Sequence, residues 1–184
     1  MSEFSNPAQR SQEAAVAYTT ALERLLAGRD PLAVQRELVE ALRALLQDLD
    51  AAELRRPEAP GKWSILQVLD HLTDQEIVNS FRLRSVVAED EPPLRGYDQD
   101  RWSAHLRYGQ ADADTLLGEL GVLRGRNLRL LAALGAEELE RVGHHSERGH
   151  ESVRRIMMLT AGHDLVHRRQ IERIRGVLGK KLGS

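Results

Sequence analysis

His163 and His167, four residues apart, have the types and spacing to share a ligand. On a helix that spacing stacks both imidazoles on one face, one turn apart. The apolar stripe of their segment runs Val153, Ile156, Leu159, Val166, Ile171, Ile174 and Leu178. At helical period His163, His167 and Gln170 fall inside that stripe. Arg154, Asp164, Arg168, Glu172 and Arg175 are expected on the solvent face. Imidazoles turned toward a core need partners for their nitrogens. Two readings supply them: separate hydrogen bonds, or one divalent metal shared by two neutral imidazoles.

His71 is the best candidate for a third imidazole. It lies inside a predicted helix, on the flank of its apolar arc, between Val68 and Val78. Three histidines with a position left open are the usual layout of a catalytic zinc-type centre, and a bundle readily offers two ligands from one helix and one from a facing helix. Asp74, a turn beyond His71, is a candidate to orient that imidazole or to act as a base; a surface carboxylate is its plainer reading. Gln170, a turn past His167, is a candidate contact for a ligand or bound water, or a core-edge amide with one partner. Met157 and Met158 read as core filling.

Helical periodicity predicts the elements that position these groups. A first helix spans Gln12 to Leu26, with Gly28 as its C-terminal cap. Asp30 caps a second, about Pro31 to Leu49, with Pro31 at its first position. Arg55 to Lys62 is a connection. Ser64 caps a third helix reaching about Ala88, with Trp63 stapled back on Val68. Its apolar positions cover so wide an arc that it must touch more than one neighbour. Glu89 to about Leu106 is the longest irregular stretch. A fourth helix runs from about Asp112 to Leu134, and Leu139 to Gly149 is a turn-rich connection. The last helix runs from about Ser152 to Leu178. No segment alternates at period two over strand length. The class expected is all-α: an up-and-down four-helix bundle with a crossover connection and an additional N-terminal helix. It forms a single domain over residues 1–184, with 1–9 and 179–184 flexible.

Composition narrows the function. Lys and Arg number 26 against 28 Asp and Glu, for a net charge of −2, which argues against a general nucleic-acid binder. With no cysteine, the fold has no disulfide, a Cys nucleophile is excluded, and any metal must be held by His, Asp or Glu. No basic-apolar-small leader pattern and no apolar run of membrane-spanning length is present, so a soluble, cytoplasmic protein without a membrane partner is expected.

Three stretches together carry a resemblance: Gly61-Lys-Trp-Ser-Ile-Leu-Gln-Val-Leu-Asp-His71-Leu-Thr-Asp-Gln-Glu76, then Tyr97-Asp-Gln-Asp-Arg-Trp102, then His163-Asp-Leu-Val-His167-Arg-Arg-Gln170-Ile171. In combination they resemble the DinB-like superfamily, which includes metal-dependent hydrolases and thiol-dependent S-transferases such as bacillithiol transferase. The resemblance covers about Ala15 to Gly176. It implies a four-helix bundle and a divalent metal, often nickel or zinc, held by one histidine of the second bundle helix and two of the last. Those positions match His71, His163 and His167. It also implies that Tyr97 and Trp102 belong to a loop shaping the pocket wall, Trp102 reading equally as a packing anchor. His145 or its neighbour His144 is implied as a loop histidine near the site, a solvent-exposed pair being the plainer reading. The implied activity is transfer of a low-molecular-weight thiol to an electrophile, slightly favoured, or hydrolysis of a small substrate. The alternative is a non-catalytic, stress-associated bundle with a structural or vestigial metal site. A homodimer is implied by the resemblance alone.

Overall fold

The computed structural model describes residues 12–179; the expectations for residues 1–9 and 180–184 lie outside the described residues. Four long helices build the bundle: α2 (Pro31–Leu46), α4 (Ile65–Ala88), α6 (Ala113–Ala133) and α8 (Val153–Val177). The additional N-terminal helix, α1 (Gln12–Leu26), packs on α8. Local chemistry sets the starts. Asp30 accepts the Leu32 amide with Pro31 at the first position, and Ser64 and Gln67 form a reciprocal capping box ahead of α4. Trp63 reaches past the cap, its ring 5.1 Å from that of His71 and 6.3 Å from that of Tyr108.

Side-chain pairings give the directions. Gln35 meets Met157 and Arg175 meets Leu45, so α2 and α8 run the same way. His71 meets His163 while Asn79 meets Thr160, so α4 opposes α8. Arg43 pairs with Asp114 and Arg124 reaches the Gln35 carbonyl, so α6 opposes α2. The adjacent helices α4 and α6 are therefore parallel, and residues 89–112 must travel back along the bundle to join them. That is the crossover. Among the described residues no helix is long and apolar enough to cross a membrane.

The connections hold more structure than periodicity predicts. The second helix stops at Leu46, and Asp50 caps a separate turn, α3 (Ala51–Arg55). The irregular stretch contains β1 (Pro93–Leu94) and α5 (Gln99–His105), the latter capped by Asp98. After α7 (Ala136–Leu139), the turn-rich connection is a hairpin of β2 (Val142–His145) and β3 (Gly149–Ser152). β1 lies parallel to β2, pairing Leu94 with His145, and the sheet order is β1-β2-β3.

The core has two apolar ends and a polar middle. Leu42, Ile65, Leu69, Leu72, Leu117, Leu120, Ile171 and Ile174 fill one end; Leu83, Val86, Leu94, Leu131, Val153 and Ile156 fill the other. Between them every bundle helix contributes a buried polar group. Arg124 binds Asp164 at 2.6 and 3.1 Å and Glu76 at 2.8 Å, and donates to the Gln35 carbonyl at 3.1 Å. Asn127 donates to Glu76 at 2.7 Å. Burial opposes the Arg124 charge, but the two carboxylates outweigh it and raise its pKa. Asp164 and Arg175, expected on the solvent face, are both buried. α8 is wrapped by α1, α2 and α4, so little of its circumference is left for water. Arg154, Arg155, Arg168 and Arg173 do pair with acidic residues near the surface.

Candidate metal centre

α4 and α8 bring His71, His163 and His167 together, each buried, with ligand atoms all within 4.8 Å of one another. His163 Nε2 is 3.0 Å from His71 Nε2 and 3.1 Å from His167 Nε2. Hydrogen bonds among the three satisfy this arrangement poorly. One imidazole nitrogen carries either one proton or one lone pair, so His163 Nε2 meets both neighbours only by splitting a single proton between them. A single cation serves all three. Metal–nitrogen bonds of about 2.0–2.1 Å place ligand nitrogens about 2.9–3.4 Å apart, from right-angled to tetrahedral coordination. The two spacings from His163 lie in that range, and His71 and His167 are within 4.8 Å of each other.

The protonation states agree. Gln170 Oε1 lies 2.8 Å from His167 Nδ1, as an acceptor for its proton, which leaves a lone pair on Nε2 facing the other two rings. Burial pushes His167 down to about 4, against the Gln170 bond. Burial, then the neighbouring imidazoles, holds His71 and His163 well below the usual histidine range. All three are neutral at pH 7, the form that donates to a metal. Nδ1 of His71 and of His163 is buried without a hydrogen-bond partner among the described residues.

A polar cavity of about 50 Å³ opens beside His163. Along it Tyr97 donates to Gln75 at 2.5 Å, Gln75 to Asn79 at 3.1 Å and Asn79 to Thr160 at 2.9 Å. Tyr18, Thr19 and Leu22 of α1 and Ile156 and Leu159 of α8 line it, and Arg82, His145, Arg148 and Glu151 form its far end.

The other predicted residues are distributed as follows. Asp74 does not orient His71; it accepts the Tyr108 hydroxyl at 2.5 Å. Burial, then that bond, raises the Tyr108 pKa. Gln170 touches a histidine from behind, as a positioning residue. Tyr97 lines the cavity, whereas Trp102 stacks on its outer side, ring centroids 4.4 Å apart, along a surface groove with Ile77 and Phe81. His144 and His145 do not form an exposed pair. Adjacent strand residues point to opposite faces, so His144 is exposed against Glu91 at 2.9 Å while His145 is buried. Arg82, Tyr18 and Tyr108 were not anticipated. Arg82 carried a signal, since it stands midway between Val78 and Val86 in the apolar arc of α4.

The sequence profile of the DinB superfamily matches residues 36–171, spanning the bundle and all three histidines. The chain belongs to the DinB superfamily. Within the superfamily's range of relatives, a Bacillus cereus (strain 03BB102) protein named "Putative metal-dependent hydrolase" is 29% identical over 139 residues, 76% of this chain and 80% of its own. A protein of the same description from Bacillus thuringiensis subsp. konkukian (strain 97-27) matches to the same extent, 29% over 139 residues. Among solved structures, YfiT from Bacillus subtilis is described as "a probable metal-dependent hydrolase with an unusual four-helix bundle topology". It aligns with a TM-score of 0.76 at 24% identity, over 82% of this DinB-superfamily chain and 87% of its own. That likeness is one of fold.

Proposed function

We propose that this DinB-superfamily protein is a metal-dependent enzyme acting on a small molecule, with a divalent cation, zinc or nickel, held by His71, His163 and His167. The convergence of three neutral imidazole nitrogens, which hydrogen bonds alone satisfy poorly, carries this reading. A divalent cation there supplies Lewis acidity and brings the pKa of a bound nucleophile toward neutrality. The chain's own residues do the rest. Gln170 fixes the His167 tautomer, burial keeps the rings unprotonated, and Leu22, Ile156 and Leu159 shield one wall of the cavity. Gln75, Asn79 and Thr160 offer a substrate hydrogen-bonding groups beside His163.

Hydrolysis of a small substrate is the reading that the relatives' names support. Transfer of a low-molecular-weight thiol to an electrophile is the second. The all-imidazole donor set favours it, because neutral ligands leave the cation's charge undiminished toward an anionic sulfur.

Metal analysis of protein purified without a histidine tag, wild type beside His163→Ala and His71→Ala, tests the centre. Near-stoichiometric metal in wild type and its loss in both variants is expected. No metal in wild type, and none taken up when zinc or nickel is supplied, overturns the proposal. Turnover of esters or amides by the loaded protein without added thiol supports hydrolysis; turnover of electrophiles only when a thiol is present selects the second reading.

A further inference from the structure

The cavity that starts at His163 ends in donors with too few acceptors. Arg82 is 4% exposed. Its Nη2 donates to the Arg95 carbonyl, and its Nε is buried with no partner among the described residues. The same Nη2 stands 3.2 Å from His145 Nε2. His145 Nδ1 accepts the Glu147 amide at 3.1 Å, so in the neutral ring the proton sits on Nε2. Burial, then the Arg148 charge, pushes His145 down to about 3, so the ring is neutral. Two N–H groups thus face each other. Moving the imidazole proton would break the Glu147 bond; an acceptor placed between the two donors satisfies both.

Charge and size define that acceptor. Arg148 is closed off by Glu151, which it binds at 2.6 and 2.9 Å in bidentate fashion. Glu147 lies half-buried at the rim, over Gly96. Arg82 makes no ion pair within 4 Å among the described residues; the Glu151 and Glu147 carboxylates of the same cavity attract it only from further off. An anionic acceptor would supply the close partner that neither carboxylate gives Arg82. Tyr18, raised by burial to about 12, remains a neutral phenol in the same wall. The volume of about 50 Å³, at about 10–15 Å³ per water-sized group, fits a carboxylate and its first carbons.

We propose that the Arg82–His145 end of the cavity is a carboxylate-binding subsite, in which a small substrate anchors its carboxylate and extends its reacting group toward His163. The direction of the reacting group rests on the metal-dependent reading above; the subsite does not. It narrows the substrate class to small monocarboxylates. Arg82 and His145 are then binding residues, set apart from the histidines that hold the metal.

The test is nitrogen-15 NMR of arginine Nε–H and histidine ring signals in chelator-treated and zinc-loaded wild type, titrated with sodium butyrate, butyramide and inorganic phosphate. Saturable butyrate shifts at Arg82 and His145 in both forms are expected, with none from butyramide. Arg82→Met should bind butyrate about tenfold more weakly or worse while keeping its metal. Equal response to butyrate and butyramide, no saturable shift, tighter binding of phosphate, or an unaffected Arg82→Met overturns the subsite. Butyrate binding only to zinc-loaded protein, abolished in His163→Ala, also overturns it and leaves the metal centre standing. Butyrate shifts at Arg82 in a protein that takes up no metal support the subsite and overturn the metal reading alone. The wild-type titration decides even where Arg82→Met fails to fold, and Arg82→Lys, which keeps the charge but loses the Nε donor, should also bind more weakly.

Discussion

Gln170 does for His167 what no side chain among the described residues does for His71 or His163. Its amide oxygen takes the Nδ1 proton and aims Nε2 at the other two rings. Gln170→Ala is therefore expected to weaken zinc affinity about 10- to 100-fold, read by competition with a chromophoric chelator, with the melting point of the metal-free protein nearly unchanged. Unchanged affinity would show that packing alone holds the ring. At this scale the sequence is readable through breaks in its own pattern. His71, His163 and His167 stand where Leu or Ile belongs, and so do Glu76 and Arg82 on α4 by the same criterion. Asp164 defeats that criterion. Periodicity assumes one buried face, and α8 is covered from three sides. Tyr18 and Tyr108 carry no such mark, because a tyrosine fits a core or a surface equally well.

Gly162 shows how tightly the elements are seated. A Cβ there would lie 2.6 Å from the Leu22 carbonyl oxygen and 2.8 Å from Leu22 Cβ, so the backbones of α1 and α8 meet directly, one residue before His163. Gly162→Ala should displace α1 and lower stability by about 1–3 kcal/mol, measured as a shift of the denaturation midpoint. An unmoved midpoint would show that α1 yields without resistance. The long helices were legible because their apolar periodicity, caps and breakers agree: Asp30 with Pro31, Ser64 with Gln67, and Gly28 at φ +78°. The hairpin was not. Strands of two and four residues are too short for alternation to stand out, and β2 has only Val142 as an apolar marker. Asp50 and Asp98 are good caps, but the helices they start have no long apolar run behind them.

Acidification tests the molecule as a whole. An unfolded histidine protonates near 6.5, whereas His167 in the fold waits until about 4. Between those values the unfolded chain binds more protons than the folded one, so stability falls as pH falls, by on the order of 3 kcal/mol from this residue alone. His71, His145 and His163 are lowered too and add in the same direction. Asp164, lifted by burial to about 6 despite Arg124, and Asp70, also raised by burial, oppose them as two carboxyls against four imidazoles. Urea melts of chelator-treated protein at successive pH values should show this loss between about 6.5 and 4; a flat profile would contradict the neutral, buried state of the rings. The order of the helices has a further consequence, at the ribosome. α8 is made after the other seven described helices, yet it is the main partner of α1 and one of the two main partners of both α2 and α4, and its His163 meets a residue 92 positions earlier. While α8 is still in the exit tunnel, the nascent chain holds His71 without its partners and an apolar flank with nothing to cover it. Completion of the core must wait until α8 has left the tunnel, and in that interval the protein is most exposed to aggregation and most in need of a chaperone.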